Sequence, residues 1–415
     1  MLDIAALRAD TPGCATVLHL NNAGAALMPR PVYGAVTAHL AREYATGGYE
    51  AREEAAERLE AVYRGVAALV GGKPGEVAIV ENATRAFDMG FHAIPFAPGD
   101  VIFTAVAEYA SNYLAYLRVV EATGGRVEVR VVPDDERGQL DVAALERMLA
   151  DPGRGKRARL VALAHVPTQS GLVQPAAAIG AAARAHGALF LLDATQSAGQ
   201  LPLDVAALGC DLLCSTGRKY LRGPRGVGFL WVREAILPEL RPPFVDLHAA
   251  TWTGPGGYSL RPDARRFENW ESNIAGTLGL GAAIDYALAL GLDAIAERVT
   301  ALAARLRAGL AAIPGLTVRD RGATLCGIVT FSLAGRDPEG LRLALRDRRD
   351  RPDGTAGARP INVSTSTASS ALLDFAGRDV TSWTRASVHY YNTEAELDEF
   401  LGAVEALARV PAGHA

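Results

Sequence analysis

Seven short runs rich in β-branched and aliphatic residues recur between residues 77 and 232 of the chain. They are Val77–Val80, Val101–Val106, Val127–Val132, Leu160–Val166, Leu189–Leu192, Asp211–Ser215 and Val227–Val232. Between several of them lie helix-patterned stretches such as Pro175–His186, alanine-rich with a proline start. Strands read as near-continuous apolar runs when both faces are covered, and alternation with helices supplies the cover. The pattern predicts an α/β fold whose large domain holds a mainly parallel seven-stranded sheet. In such sheets functional groups gather beyond the carboxyl ends of the strands.

The length of 415 residues exceeds one ordinary domain. From Asn273 to about Ala312 the apolar residues Leu278, Leu280, Ala283, Ile284, Ala287 and Leu288 mark one helix face. This predicts a long connecting helix into a C-terminal α+β domain. We expect a large domain over residues 21–285 and a smaller one built from 1–20 and 286–415. Asp353 to Arg359 reads as a glycine-rich loop, and no internal repeat is visible.

Apolar residues at 49% and charged residues at 21% suit a soluble globular enzyme. A formal charge of −4 and a pI near 6.1 argue against a nucleic-acid surface. The basic stretch Arg342–Arg351 is interrupted by Asp347 and Asp350 and reads as a solvated helix end. Cys14, Cys210, Cys214 and Cys326 show no metal-ligand spacing, so no metal is expected. The N-terminal stretch carries Asp3 and Asp10, unlike a signal peptide, and no apolar run reaches membrane-spanning length. A cytoplasmic enzyme is the expectation.

Two charged residues stand where apolar runs end. Asp193 closes Leu189–Leu192, and Lys219 follows the run at Asp211–Ser215. A buried amine and a buried carboxylate at neighbouring strand ends suit pyridoxal phosphate, whose aldehyde needs a lysine and whose pyridinium needs an acid. Asp193 has the alternative reading of a helix N-cap, and Gln196 reads either as a donor to the ring oxygen or as a capping-box glutamine. At Glu81-Asn-Ala-Thr-Arg-Ala a strand gives way to a helix start, so Ala83 and Thr84 offer a phosphate cradle or a simple cap. Thr216 and Arg218 would reach the same phosphate. Thr168 also follows a strand end. Tyr109 has the place for stacking on a ring or for plain packing, and Arg385 for clamping a carboxylate or for an exposed structural role.

With these segments in line, the chain resembles the class V aminotransferase family of fold-type-I pyridoxal-phosphate enzymes. That family includes group II cysteine desulfurases, isopenicillin-N epimerase and C–S lyases of the ergothioneine type. The resemblance runs from Leu20-Asn-Asn-Ala-Gly-Ala to Ala386-Ser-Val-His-Tyr-Tyr-Asn-Thr, and includes Gly223-Pro-Arg-Gly-Val-Gly. It implies Lys219 as the Schiff-base lysine, Asp193 as the pyridinium partner, and Gln196 as the ring-oxygen donor. Tyr109 falls where desulfurases stack a histidine. Thr84, Thr216 and Arg218 fall at phosphate positions, and Arg385 where the substrate carboxylate binds. Asn22 and Tyr49 are further candidates for contact with substrate. Family members are homodimers with shared active sites, which is the expectation here.

Three departures narrow the expected reaction. Ile361-Asn-Val-Ser-Thr-Ser-Thr-Ala-Ser-Ser-Ala-Leu-Leu-Asp-Phe lacks the cysteine that desulfurases carry on this loop to form a persulfide. Arg218 stands where they have histidine. Glu271, in Phe267-Glu-Asn-Trp-Glu-Ser-Asn, stands where they use threonine to touch the partner subunit's phosphate. The Arg-Lys pair and the Glu-x-Asn resemble the C–S lyase subgroup. The reading is β-elimination from a cysteine S-conjugate with Lys219 as general base; the alternatives are transamination and epimerisation.

Overall fold

Backbone polar groups in a sheet are satisfied by neighbours, so strands buried on both faces need only apolar side chains and a helix layer on each side. The computed structural model describes residues 2–348 and 358–409. After a short strand, Leu18–His19 (β1), come β2 (Val77–Val80), β3 (Asp100–Ala105), β4 (Glu128–Val132), β5 (Arg157–Ala164), β6 (Leu189–Asp193), β7 (Leu212–Thr216) and β8 (Gly228–Val232). The last seven form one sheet in the order β2-β8-β7-β6-β5-β3-β4. The pairs among β3, β4, β5, β6 and β7 are parallel, and β8 runs antiparallel to both β2 and β7. The mainly parallel sheet expected from the apolar runs is therefore present.

Alternation along each strand splits the core in two. Phe103, Val161, Leu163, Phe190, Leu192, Leu213 and Phe229 pack on one face. Ile102, Leu160, Ala162, Leu191, Leu212 and Leu230 pack on the other. Successive side chains of a strand point to opposite faces, so one run fills both cores. Each large aliphatic or phenylalanine side chain so buried stabilises the fold by roughly 1.5–3 kcal/mol.

The stretch from Asn273 to Ala312 is two helices, not one. Ile274–Leu290 and Leu292–Ala311 meet at Gly291, whose φ is 85°, and their axes turn by 82°. A glycine at positive φ is a common helix terminator, and Asp293 then sits in the first turn of the next helix. The apolar spacing runs on past Gly291, which masks the break in a periodicity count. No single helix among the described residues is long and apolar enough to cross a membrane.

A hairpin of β9 (Ala250–Gly254) and β10 (Gly257–Leu260) leaves Trp252 and Tyr258 exposed. The smaller C-terminal domain holds an antiparallel sheet, formed by β11 (Leu316–Val318), β12 (Ile328–Leu333), β14 (Ser364–Thr367) and β15 (Ser382–Ser387) in the order β11-β12-β15-β14. β1 pairs in parallel with β13 (Ile361–Asn362), and Leu7, Leu18 and Leu20 share a core with Val299, Leu306, Phe331 and Phe400. The N-terminal residues thus pack with the C-terminal ones. Arg342, Arg346 and Arg348 pair with Glu339, Asp347 and Glu399. Arg349–Arg351 and positions 353–357 of the glycine-rich stretch lie outside the described residues.

Candidate active site

Parallel strands bring their carboxyl ends to one edge, and the residues that follow them meet there. Beyond β5, β6 and β7, and at the starts of the helices after β2 and β3, lies a cavity of about 130 Å³. Ala83, Thr84, Tyr109, Thr168, Asp193, Gln196, Thr216, Arg218 and Lys219 all line it. Asn82, Asn112, Ala164, Val166 and Thr195 also line it.

Lys219 is buried, and its amine is held down to about 7, first by burial and then by the charges of Arg218 and Arg385; Asp193 pulls the other way. A large share of the amine is therefore neutral near neutral pH, which a nucleophile or base requires. The loop that carries it is tied down by Arg222. That residue has φ 62°, uncommon outside glycine, and its N–H donates to the Lys219 carbonyl at 2.9 Å. Its guanidinium, 1% exposed, donates to the Leu27 carbonyl at 2.9 Å and the Tyr390 hydroxyl at 2.7 Å, and lies 4.5 Å from the Tyr391 ring.

Asp193 ends β6 with one oxygen accepting from the Thr195 N–H at 2.9 Å and the other from Asn112 Nδ2 at 3.0 Å. No salt bridge to Asp193 occurs among the described residues. A buried carboxylate without a cation is costly, and a protonated ring nitrogen would supply one.

At the other end, Asn82 caps the Ala83–His92 helix by accepting from the Arg85 N–H at 2.9 Å. The first N–H groups of a helix lack intrahelical partners and attract anions. Gly228 makes this placement sterically allowable: a Cβ there would lie 2.5 Å from the Ser215 carbonyl oxygen and 3.0 Å from the Asn82 carbonyl carbon. Thr216 Oγ1 donates to the Val227 carbonyl at 3.3 Å, and the Arg218 guanidinium contacts the Gly24 carbonyl.

Arg385 lies on β15, 7% exposed, and makes no salt bridge among the described residues. Nη1 donates to the carbonyl and the hydroxyl of Thr168, both at 2.8 Å, and Nη2 to Asn21 Oδ1 at 3.4 Å. Burial lowers its pKa to about 10, Tyr220 opposing and Arg218 adding to the shift, so it stays cationic at neutral pH. Thr195 Oγ1 and Gln196 Oε1, on residues that line the cavity, and Arg385 Nε, behind Thr168, are buried with no hydrogen-bond partner among the described residues. Native interiors rarely leave such atoms unpaired, so their concentration here marks a place for a polar ligand. An amine, an acid, a helix N-terminus and these orphaned atoms around one cavity fit pyridoxal phosphate.

Four expected residues do not line this cavity; one of them, Arg385, stands behind it against Thr168. Asn22 is fully buried with its amide donating to the Ser387 carbonyl at 2.7 Å and the His19 carbonyl at 3.3 Å, and it accepts from the Tyr391 hydroxyl. Its neighbour Asn21 is the one that reaches Arg385. Tyr49 and Glu271 instead line a separate cavity of about 340 Å³ with Arg52 and Trp270. Gln196 does line the site, but its Nε2 already donates to the Ala23 carbonyl at 3.0 Å and the Thr168 hydroxyl at 2.9 Å. Donation to a ring oxygen would replace one of these. Sequence reading also missed Asn112, Thr195 and Arg222. The four-residue spacing of Glu108 and Asn112 at a helix start was the available signal for the first.

Comparison with known proteins gives the family. The family model for class-V aminotransferases matches residues 18–400. A probable cysteine desulfurase of Methanothermobacter thermautotrophicus is 30% identical over 406 residues, covering 97% of each chain. The apo structure of a cysteine desulfurase from Thermococcus onnurineus NA1 is 27% identical with a TM-score of 0.85, covering 99% of each chain. A cystine C–S lyase solved with cysteine persulfide shares the fold at 24% identity and a TM-score of 0.81, covering 96% of this chain and 99% of that one. The chain belongs to the class-V aminotransferase family, enzymes that act on amino acids with pyridoxal phosphate.

Proposed function

We propose that the protein catalyses β-elimination from a cysteine S-conjugate, releasing a thiol. The observation that carries this is the state of its thiols. The persulfide route requires an accessible thiolate, and the segment 361–375 has no cysteine. Cys14, Cys210, Cys214 and Cys326 are all buried, and burial raises every one of their pKa values. Thiolate, not thiol, is the nucleophile, so none of the four suits sulfur transfer.

When bound, pyridoxal phosphate supplies a ring that draws electrons from the substrate α-carbon. The residues of the chain do the rest. Arg385, backed by Thr168 and Asn21, holds the substrate carboxylate in its planar fork. Asp193 keeps a proton on the ring nitrogen. Lys219 would hold the aldehyde of the cofactor and, as a neutral amine, would take the α-proton and return a proton to the departing sulfur. Tyr109 closes one wall of the cavity. As the Cβ–S bond breaks, its electron pair leaves with sulfur, and the remaining fragment hydrolyses to pyruvate and ammonia.

The pure protein loaded with cofactor and given a panel of cysteine S-conjugates is expected to release thiol and pyruvate in equal amounts. Neither product across the panel would remove the proposal; conversion of the cofactor to its pyridoxamine form would favour transamination instead.

The proposal extends to a homodimer in the cytoplasm. Four free cysteines suit a reducing compartment. Trp252, Tyr258 and Tyr49 are 80%, 60% and 70% exposed, an aromatic surface typical of interfaces. Glu271, outside the cavity of its own chain, would then approach the site of the partner. Sedimentation at twice the 43.6 kDa chain mass is the expected result, and a monomer at working concentration would refute it.

A further inference from the structure

Glu108 and Asp193 stand on different elements yet share one amide group. Glu108 is 3% exposed. One of its oxygens accepts from Thr104 Oγ1 and from the Tyr116 hydroxyl, each at 2.9 Å. The other accepts from the Tyr109 N–H at 2.6 Å and from Asn112 Nδ2 at 3.1 Å. The same nitrogen donates to Asp193 Oδ2 at 3.0 Å. A primary amide nitrogen carries two protons, so each carboxylate takes one. Two acceptor-only neighbours also fix which way the amide faces, because its oxygen turned toward either would be repelled.

Packing alone does not need a charge at this position, since a glutamine would fill the space. Burial pushes the Glu108 carboxyl up to about 7, while its donors, the Tyr109 N–H first, hold it down and Asp193 adds to the rise. The titratable groups around the relay are Tyr116 on the same helix as Asn112, Asp193 on β6, Lys219, on which Asp193 acts, Cys214 on β7, and Asp88 on the Ala83–His92 helix, which acts on Cys214. Glu108 is therefore a second acid behind the first, joined to it by one side chain.

We propose that Glu108 is a positioning residue that acts through Asn112 on Asp193, holding its rotamer and adding negative charge behind the ring nitrogen that Asp193 faces. The inference rests on the pyridoxal-phosphate reading of the cavity. Negative charge there favours the protonated forms of the bound cofactor, so its loss moves their titration to lower pH.

The test uses the visible absorbance of the reconstituted protein as a function of pH. Glu108→Gln is expected to keep the visible band, because Lys219 is intact, and to shift its pH midpoint down by about half a unit or more; a charge in direct contact shifts such values by roughly 1–3 units. Tyr116→Phe, which removes one donor that favours ionised Glu108, should shift the midpoint the same way by less. Should Glu108→Gln fail to fold, Tyr116→Phe alone decides. An intact band with an unmoved midpoint in the folded variants overturns the role of Glu108 and leaves the cofactor reading standing. No band in the unaltered protein overturns the cofactor reading and this inference with it.

Discussion

Lys219→Met is expected to abolish turnover and, in the cofactor-free protein, to raise thermal stability. The first effect follows from loss of the group that holds the aldehyde and moves the α-proton, and should be about a thousandfold or more. The second follows from linkage. The amine titrates at about 7 in the folded chain and near 10.4 when unfolded. Below about pH 7 both states hold the proton, and the folded state holds it where burial, Arg218 and Arg385 disfavour it, so the penalty is complete. Between about pH 7 and 10 the unfolded state binds more protons than the folded one, and stability rises with pH. Each unit of displacement is worth about 1.4 kcal/mol, which sums to a few kcal/mol at low pH. Methionine keeps the volume and removes the charge. Melting curves of both cofactor-free proteins at about pH 6 and about pH 10 should show a gap that closes at the higher pH. Equal melting temperatures at the lower pH would show that the lysine is not strained in the fold.

Arg385→Lys is expected to lower kcat/KM by roughly a hundredfold, mostly through KM. Lysine retains charge but cannot present two parallel N–H donors to a carboxylate. Loss of one partner from a buried hydrogen-bonded charge pair costs about 2–5 kcal/mol, and 1.4 kcal/mol is a factor of ten. A substrate analogue without the α-carboxylate separates this from general damage. The analogue should be poor with the unaltered protein and no worse with the variant, since the interaction is already absent. An equal loss on both compounds would mean that Arg385 supports the fold of the site instead of binding substrate.

The strand positions were legible because burial on both faces leaves a strong local mark. β2 is Val77–Val80, as the apolar run indicates, β6 extends its run by one residue to Asp193, and β7 is shifted by one, to Leu212–Thr216. The groups at strand ends were legible for the same reason: a carboxylate or an amine after an apolar run is conspicuous. The break at Gly291 was not, because the apolar faces of the two helices continue in phase across it. Nor was the choice of Asn21 over Asn22. The two adjacent amides differ only in which meets Arg385 and which meets Ser387, and β15 decides that from 364 residues away.

The local order of residues thus carried the fold class, the amine–acid pair and the cysteine-free segment, since each depends on residue type and near neighbours. The working state of the pair came from packing at long range. Lys219 has its amine displaced because burial removes water and because Arg218 and then Arg385, which arrives from the smaller domain, place like charge near it. Asp193 keeps its orientation because Asn112 arrives from the helix after β3. Charge and orientation at a buried group depend on everything within a few ångströms, and those neighbours are set by the tertiary fold.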